Sequence, residues 1–462
     1  MRGSIQSARL TRSWRAHLLA AVLLLSVVLA AGCTGSSGTT ARGAAPSQAS
    51  AGAAVAGAAS SCLSYQGACY APYLFRVEYG IQPLLDRGID GRGETVTVLD
   101  AGPPLPPASA CPPPCTIVNG PVTSDIRQDL AAFDSEFRLP AARIEVVTSL
   151  AGSASPWQVS DQEAGDVEIA HAVAPAATLR LVLLPSNAMD SAATATADMI
   201  AGLRLAVSAT DVASIGFGLG EHFFTTAQAA QMHSILLGAE AHHVTVVAGS
   251  GDNGGFSDAW WFGTAVREVS LPASDPLVLA AGGTTFTGNL SAGAYVSETA
   301  WNAQNPGSFS ETLGASGGGF SHLYARPAYQ AGVPRIGAMR GVPDVAGDAG
   351  YNGGWAAVLS TGGKASISAY SGTGAAAALW AGLIALADQY AGHDLGFVNP
   401  AIYRIARSPS SHQAFHDITT GSNIQTLAYP AGTAGYQAGP GWDPVTGWGT
   451  PDAQVLVPLL AA

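Results

Sequence analysis

The chain has 462 residues, with 20 Lys+Arg against 32 Asp+Glu and a formal charge of −12, which argues against a nucleic-acid partner, because neutralising phosphate needs a basic face. With 48% hydrophobic and 11% charged residues, it is too apolar for a disordered chain and has enough apolar side chains for a large core. Its 56 Gly and 28 Pro follow no Gly-X-Y period, which excludes collagen and favours a loop-rich globular fold.

Arg2, Arg9, Arg12 and Arg15 precede an apolar run from Leu18 to Ala31, broken only by Ser26, and the first acidic residue is Glu78. This is the charge and length pattern of a secretory signal; at about 14 residues the run is short of the roughly 20 that span a bilayer. It stops at Leu29-Ala30-Ala31-Gly32-Cys33, which resembles the lipobox of bacterial lipoproteins. Residues 1–32 are therefore expected to be a lipoprotein signal peptide, with Cys33 lipidated on the outer face of the cell membrane; ordinary secretion with an incidental cysteine is the alternative. Residues 33–60 are dominated by Gly, Ala, Ser and Thr and read as a flexible tether, so the membrane is met through the lipid alone. Of the remaining cysteines, Cys62 and Cys69 have six residues between them and Cys111 and Cys115 have three. In an exported protein this suggests two short-loop disulfides. Zinc competes for the same cysteines, but no histidine pair lies near and Pro112-Pro113-Pro114 stiffens the second loop.

From Tyr70 onward no linker, repeat or charge block interrupts the chain. Apolar strand-like runs alternate with helical ones: Thr95 to Leu99, then Asp125 to Phe137; Ala177 to Leu184, then Ala192 to Val207; Ala213 to Phe217, then Thr226 to Ala239; then Val244 to Ala248. Continuous Val/Ile/Leu strands separated by helices predict a parallel sheet covered on both faces, an α/β fold in one large domain over 61–462. Further on, Ser371-Gly372-Thr373-Gly374 opens an Ala- and Leu-rich helical run from Ala375 to Tyr390. A glycine turn at a helix N-terminus is where a nucleophile and its oxyanion donors can sit.

That turn, followed by Leu379-Trp380-Ala381-Gly382-Leu383, resembles the catalytic-serine region of the sedolisin family, the serine-carboxyl peptidases. The likeness continues in family order through Tyr70-Ala71-Pro72, Asp166-Val167-Glu168, Ser250-Gly251-Asp252, Leu271-Pro272-Ala273-Ser274, Gly282-Gly283-Thr284-Thr285, Arg340-Gly341-Val342-Pro343-Asp344, Phe415-His416-Asp417-Ile418-Thr419 and Gly439 to Pro451. The resemblance implies a subtilisin-like central parallel sheet flanked by helices. It also implies a serine nucleophile, a glutamate base, an aspartate four residues later and a second aspartate facing the oxyanion. Transferred residue by residue, the aspartates are retained as Asp166 and Asp252, whereas the serine position is Gly374 and the base position is Gln162. Glycine carries no attacking atom, removing such a nucleophile costs about 10⁶ in kcat, and an amide is no useful base.

Neighbouring groups offer substitutes with competing explanations. Glu163 lies about 60° from the Asp166 face of an ideal helix, yet Ser160-Asp161-Gln162-Glu163 also spells a capping box, which is the preferred reading. Ser371 would have to cross the turn to attack. His171 reads as a packing residue and Glu168 as a solvated or structural charge. Asp252 is either kept for an oxyanion or kept for the turn Gly251-Asp252-Asn253-Gly254. The family's calcium site maps onto Asp417, the carbonyls of Ile418, Gly439 and Gly441, and Asp443, which would give one structural Ca²⁺; a loop held by ordinary turns is the alternative. Active relatives carry a large N-terminal prodomain, and only the tether separates Cys33 from the peptidase-like segment. The expectation is a monomeric, exported peptidase homologue that has lost proteolysis and binds a peptide or protein ligand, with Ser316 to Ser321 offering backbone for strand addition. An active acid endopeptidase and a structural surface protein are the rival readings.

Overall fold

The computed structural model describes residues 69–100, 124–147, 158–185, 191–257, 266–288, 295–303, 314–361, 364–427 and 432–462. The signal segment, the tether and Cys33, Cys62, Cys111 and Cys115 lie outside the described residues. Cys69 is disulfide-bonded and opens the described chain.

Each alternating run of the sequence takes its place in one sheet. The strands are Thr95–Asp100 (β1), Arg143–Val147 (β2), Thr178–Leu183 (β3), Val212–Ile215 (β4), Thr245–Gly249 (β5), Leu279–Thr287 (β6), Ser297–Ala300 (β7) and Val345–Asp348 (β8). Their order is β7-β6-β5-β4-β1-β3-β2, with β8 also paired to β6. Every pairing is parallel except β7 against β6. The longest helices are Ile126–Phe137 (α1), Asp161–Val173 (α2), Ala192–Ala206 (α3), Thr226–Ala241 (α4) and Thr373–Ala391 (α5).

Side chains alternate across the strands, so the sheet carries two cores. Val96, Val98, Leu179, Leu181 and Val247 join α1, α2 and α5 in one. Leu99, Val182, Ala213, Ile215, Val246 and Ala248 join α3 and α4 in the other. Covering both faces is what lets these strands be continuously apolar. Helix α5 is apolar all round, and every residue from Thr373 to Asp388 is buried, as expected of a helix that runs through a core rather than over it. Its composition is set by close approach: a Cβ on Gly382 would sit 2.7 Å from Val173 Cβ on α2.

Beyond the sheet, Gly354–Thr361 (β9) and Lys364–Tyr370 (β10) form an antiparallel hairpin that leads straight into α5. Buried Glu168 of α2 holds that hairpin by accepting Val358 N–H at 2.8 Å, so it is structural and not solvated, and burial lifts its carboxyl well above the ordinary value. His171 is fully buried, with Nε2 3.0 Å from Pro140 O and 2.9 Å from Asp134 Oδ1; it packs α2 against the α1 region, as the sequence suggested.

Candidate functional site

In a parallel sheet, ligands collect outside the carboxyl ends of the strands, where consecutive connections leave in opposite directions. Here β1 has β3 on one side and β4 on the other, and the residues that end these strands meet there.

Helix α2 is capped at its N-terminus by Ser160. The Ser160 N–H donates to Glu163 Oε2 at 2.8 Å, the Ser160 hydroxyl bonds the same oxygen, and both halves of a capping box are formed. Glu163 is therefore buried at a helix end rather than aimed at a substrate. Gln162, in the same first turn, donates Nε2–H to Asp100 Oδ1 at 2.7 Å. One turn later Asp166 is fully buried. Its Oδ1 accepts the Tyr370 hydroxyl at 2.8 Å, and its Oδ2 has no hydrogen-bond partner among the described residues. Burial pushes the Asp166 carboxyl up to about 7, against the pull of the Tyr370 bond, with the charges of Asp252 and Glu163 adding to the rise. The same proximity lifts Tyr370 well above its ordinary value, again with burial as the main cause.

Gly374 faces this acid. A Cβ on Gly374 would lie 2.9 Å from Asp166 Oδ2 and 3.0 Å from Gly216 O, and one on Gly216 would lie 2.2 Å from the same Oδ2. Two glycines thus let a carboxylate oxygen come closer to the backbone than any side chain would allow. At the mouth of α5, Gly372 has φ +109° and no capping side chain. Asp252, half-buried, supplies the cap: its Oδ1 accepts Thr373 N–H and the Thr373 hydroxyl, each at 2.8 Å. Burial raises the Asp252 carboxyl above its usual range, opposed by the two Thr373 bonds. The turn-structure reading of Asp252 thus has a definite form, a helix cap from a neighbouring loop.

The hydroxyls beside Gly374 are engaged. Thr373 Oγ1 donates to Asp252 and accepts Gly251 N–H at 3.1 Å, and Tyr370 donates to Asp166; both residues are buried. Ser371 precedes the helix in a half-buried position.

Two residues of this site, Asp100 and Tyr370, were not singled out from sequence. Asp100 had a signal, since a lone carboxylate closing the apolar strand Thr95–Leu99 just before Ala101-Gly102 marks the carboxyl end of a parallel strand. Tyr370 had none, because its contact to Asp166 spans 204 residues.

The glycine stretch expected to receive a peptide is instead committed internally. Ser316 N–H donates to Trp301 O at 3.0 Å, Gly317 N–H to Gly251 O at 2.6 Å and Gly318 N–H to Gly254 O at 3.3 Å, and residues 314–319 are buried. Small residues are needed there because the segment packs backbone to backbone: a Cβ on Gly317 would lie 2.3 Å from Ser250 O. Gly216-Phe217-Gly218, at the carboxyl end of β4, is half-buried and in no strand. Apart from Gly216 N–H to Leu99 O at 3.0 Å, it enters no backbone hydrogen bond among the described residues.

At the C-terminal loop, Gly441 N–H donates to Asp417 Oδ2 at 2.9 Å and Gly439 N–H to Asp443 Oδ2 at 3.0 Å, so both carboxylates face the turn 439–443. Asp443 Oδ1 also takes the N–H groups of Val445 and Thr446. The carbonyls of Ile418, Gly439 and Gly441 accept no hydrogen bond among the described residues. Two carboxylates and three uncommitted carbonyls, from 417–418 and the turn 439–443, are the donor chemistry of a hard cation. Two further groups have ligand atoms all within 4.8 Å of one another and could hold a metal ion: Glu221, Glu268 and His322; and Glu94, Asp211 and Asp394. In the first, the carboxylates are already satisfied. Glu221 accepts Ser321 Oγ at 2.5 Å and His322 N–H at 2.7 Å, and Glu268 accepts His222 N–H at 3.2 Å and contacts its ring.

No helix among the described residues is long and apolar enough to cross a membrane. No family model matches the chain. Kumamolisin of Bacillus sp. (strain MN-32) is 36% identical over 296 residues, covering 62% of this chain and 48% of that protein. Sedolisin of Pseudomonas sp. (strain 101) is 34% identical over 229 residues, 48% of this chain and 36% of its own length. Human tripeptidyl-peptidase 1 is 30% identical over 272 residues, 54% and 43% respectively. The chain thus matches about half or less of the length of these curated relatives. Among solved structures, Pseudomonas sedolisin complexed with two molecules of pseudo-iodotyrostatin superposes with a TM-score of 0.65 at 25% identity, over 85% of this chain and 98% of that one. By sequence and by fold, the chain is a homologue of the sedolisin peptidases, built on their subtilisin-like sheet.

Proposed function

We propose that this protein is an exported sedolisin homologue that has lost proteolysis and binds extended peptides. The observation that carries the reading is Gly374: the residue facing Asp166 has no side chain, and the neighbouring Thr373 and Tyr370 hydroxyls are buried and donate to carboxylates. With Gln162 tied to Asp100 as an amide, the site holds neither an activated nucleophile nor the family base. Asp166 and Asp252 keep the family positions, as acids that shape the pocket and cap α5. Gly216-Phe217-Gly218 supports peptide binding, because half-buried backbone in no strand, at the carboxyl end of β4, can pair with an added peptide strand. Export and lipidation at Cys33 rest on the segment from Arg2 to Cys33.

Calcium is the cation suited to the C-terminal loop. Asp417, Ile418 O, Gly439 O, Gly441 O and Asp443 would hold it, joining two segments of the chain. Its role there is structural.

The test uses the purified full chain with calcium and a mixed peptide library from about pH 3 to 7, beside a Gln162→Glu/Gly374→Ser double variant. The wild type is expected to retain peptides without cutting them, and the double variant to cut at acid pH. Because a Cβ at 374 meets Asp166 Oδ2 at 2.9 Å, the serine also costs stability, about 1–3 kcal/mol from overpacking. Cleavage by the wild type overturns the reading; absence of any retained peptide removes its binding half.

A further inference from the structure

A groove of about 530 Å³ opens at the amino ends of the strands, away from Gly374. Leu277 lines it just before β6 begins at Leu279, and Phe397 lines it after the C-terminus of α5, whose N-terminus carries Gly374. Pro276, Pro327 and Pro400 stand with the rings of Tyr329 and Phe397 in its wall. The rings are held in place. Tyr329 donates its hydroxyl to Pro276 O at 2.8 Å and accepts Asn399 Nδ2–H at 3.1 Å. Its ring centre lies 5.9 Å from that of Phe397 and 4.9 Å from that of buried Tyr403. Arg404 and Arg407 line the same groove, three positions apart at the end of the helix Asn399–Ala406, and both are exposed. Arg407 donates Nη1–H to Ala331 O at 3.1 Å, and Arg404 has no hydrogen bond or ion pair among the described residues. The chain carries a formal charge of −12, yet the segments 314–343 and 395–416 that supply most of this wall hold five Arg and no Asp or Glu. The acids behind the groove are buried and engaged elsewhere. Asp275 accepts Leu277 N–H at 2.9 Å and meets His233 Nδ1 at 2.8 Å, and Asp344 is paired with Arg340.

We propose that this groove binds a small aromatic carboxylate, with its ring against Tyr329, Phe397 and the prolines and its carboxylate on Arg404 and Arg407. A guanidinium presents a planar fork of donors that matches a carboxylate, and residues three apart on a helix lie on one face, so both can meet one anion. Aromatic rings and prolines give flat apolar walls on which a ring packs edge-on or offset. A volume of about 300–1,000 Å³, mostly apolar with a few placed polar groups, is what small-molecule sites have. Because the Tyr329 hydroxyl is fixed on both sides, little ordering is left for the ligand to impose. An added peptide strand suits the groove less well, since strand addition needs backbone donors and its three prolines have none. The site is separate from Gly216-Phe217-Gly218 and rests on no part of the peptide-binding proposal.

The test is calorimetric titration of 1-naphthylacetate into the full chain, beside its neutral amide, 1-naphthylacetamide. The carboxylate is expected to bind at one site at least tenfold more tightly than the amide. Arg404→Gln and Arg407→Gln are each expected to weaken the carboxylate several-fold and together at least tenfold, while leaving the amide unchanged. Both positions are exposed, so the variants are expected to melt with the wild type, which separates lost binding from lost folding. Arg204→Gln, an exposed position on α3, removes the same charge elsewhere and is expected to leave the titration as it was. A peptide ending in a free C-terminal phenylalanine is the rival occupant. Tighter binding of that peptide than of naphthylacetate, lost in the same two variants, would assign the groove to a chain end and overturn the small-acid proposal. No saturable binding of naphthylacetate, equal binding of acid and amide, or an affinity unmoved in the double arginine variant overturns it as well.

Discussion

The two ends of α5 treat their acids in opposite ways. At the N-terminal end Asp252 accepts the first N–H and the hydroxyl of Thr373, and Asp166 accepts Tyr370. At the C-terminal end, about 28 Å away along a 19-residue helix, Asp211 and Asp388 each accept one backbone N–H, and burial, with neighbouring acids adding to it, raises Glu94, Asp211 and Asp388 above their ordinary values. The helix dipole and free N–H groups favour carboxylates at the first end and oppose them at the second. Sequence alone shows acids at both; only the direction of the helix tells which set lies in the favourable field of its N–H groups and which in the opposing field of its carbonyls.

A third buried acid calibrates the difference. Asp344 is fully buried with Arg340, whose two terminal nitrogens meet its two oxygens at 2.7 and 2.5 Å, and it also accepts Tyr403 OH and Ala280 N–H. Removing the cation with Arg340→Met is expected to cost about 3–5 kcal/mol in urea unfolding, because it leaves an uncompensated buried charge. This is the largest effect among these predictions. A loss below about 1 kcal/mol would mean that buried acids in this fold are tolerated without cations, and would weaken the contrast between the two helix ends.

The next effect is one of pH. Asp166 is raised from 3.8 to about 7 in the folded chain, so between those values the native state holds a proton that the unfolded chain has released. Stability must therefore fall as pH rises through that window, and its contribution is fully present only below about 4. Asp166→Asn has no such proton. Its stability is expected to fall less across that window, the difference curve amounting to a few kcal/mol at most, on the order of the 1.36 kcal/mol per unit that links pKa to stability. Parallel wild-type and variant curves from equilibrium unfolding at several pH values would show that Asp166 is ionised throughout.

Much of the sheet was legible because most of its parallel strands are continuous apolar runs, and the predicted runs fall within about two residues of β1, β3, β4, β5, α1, α3, α4 and α5, whereas the charged strand β2, Arg143–Val147, was not read from the sequence. The capping box at Ser160 and Glu163 was legible for a similar reason, since all its partners lie within three residues. What sequence could not supply were pairings across long separations. Asp100 meets Gln162 over 62 residues and Tyr370 meets Asp166 over 204. Ser316 to Ser321 misled for a physical reason as well. Glycine-rich backbone is equally suited to receive a peptide and to pack against its own chain, and here it packs on Ser250, Gly251 and Pro444.

The smallest effect decides what Asp252 is for. If the fold retains it as the cap of α5, Asp252→Ala leaves Thr373 N–H without its acceptor and is expected to cost about 0.5–2 kcal/mol. Asp252→Asn keeps a carbonyl oxygen that can accept both Thr373 bonds at Oδ1 and loses only the charge. It is therefore expected to cost less than the alanine variant, by about the 0.3–1 kcal/mol that separates a neutral from a charged group at a helix N-terminus. Urea unfolding of the two variants reads the order directly. Equal stability of wild type, Asn and Ala forms would remove the cap and leave the retained aspartate without a structural account. The order wild type above Asn above Ala would place the N-terminal end of α5 as a site stabilised by its acid, as the field of the helix's free N–H groups requires.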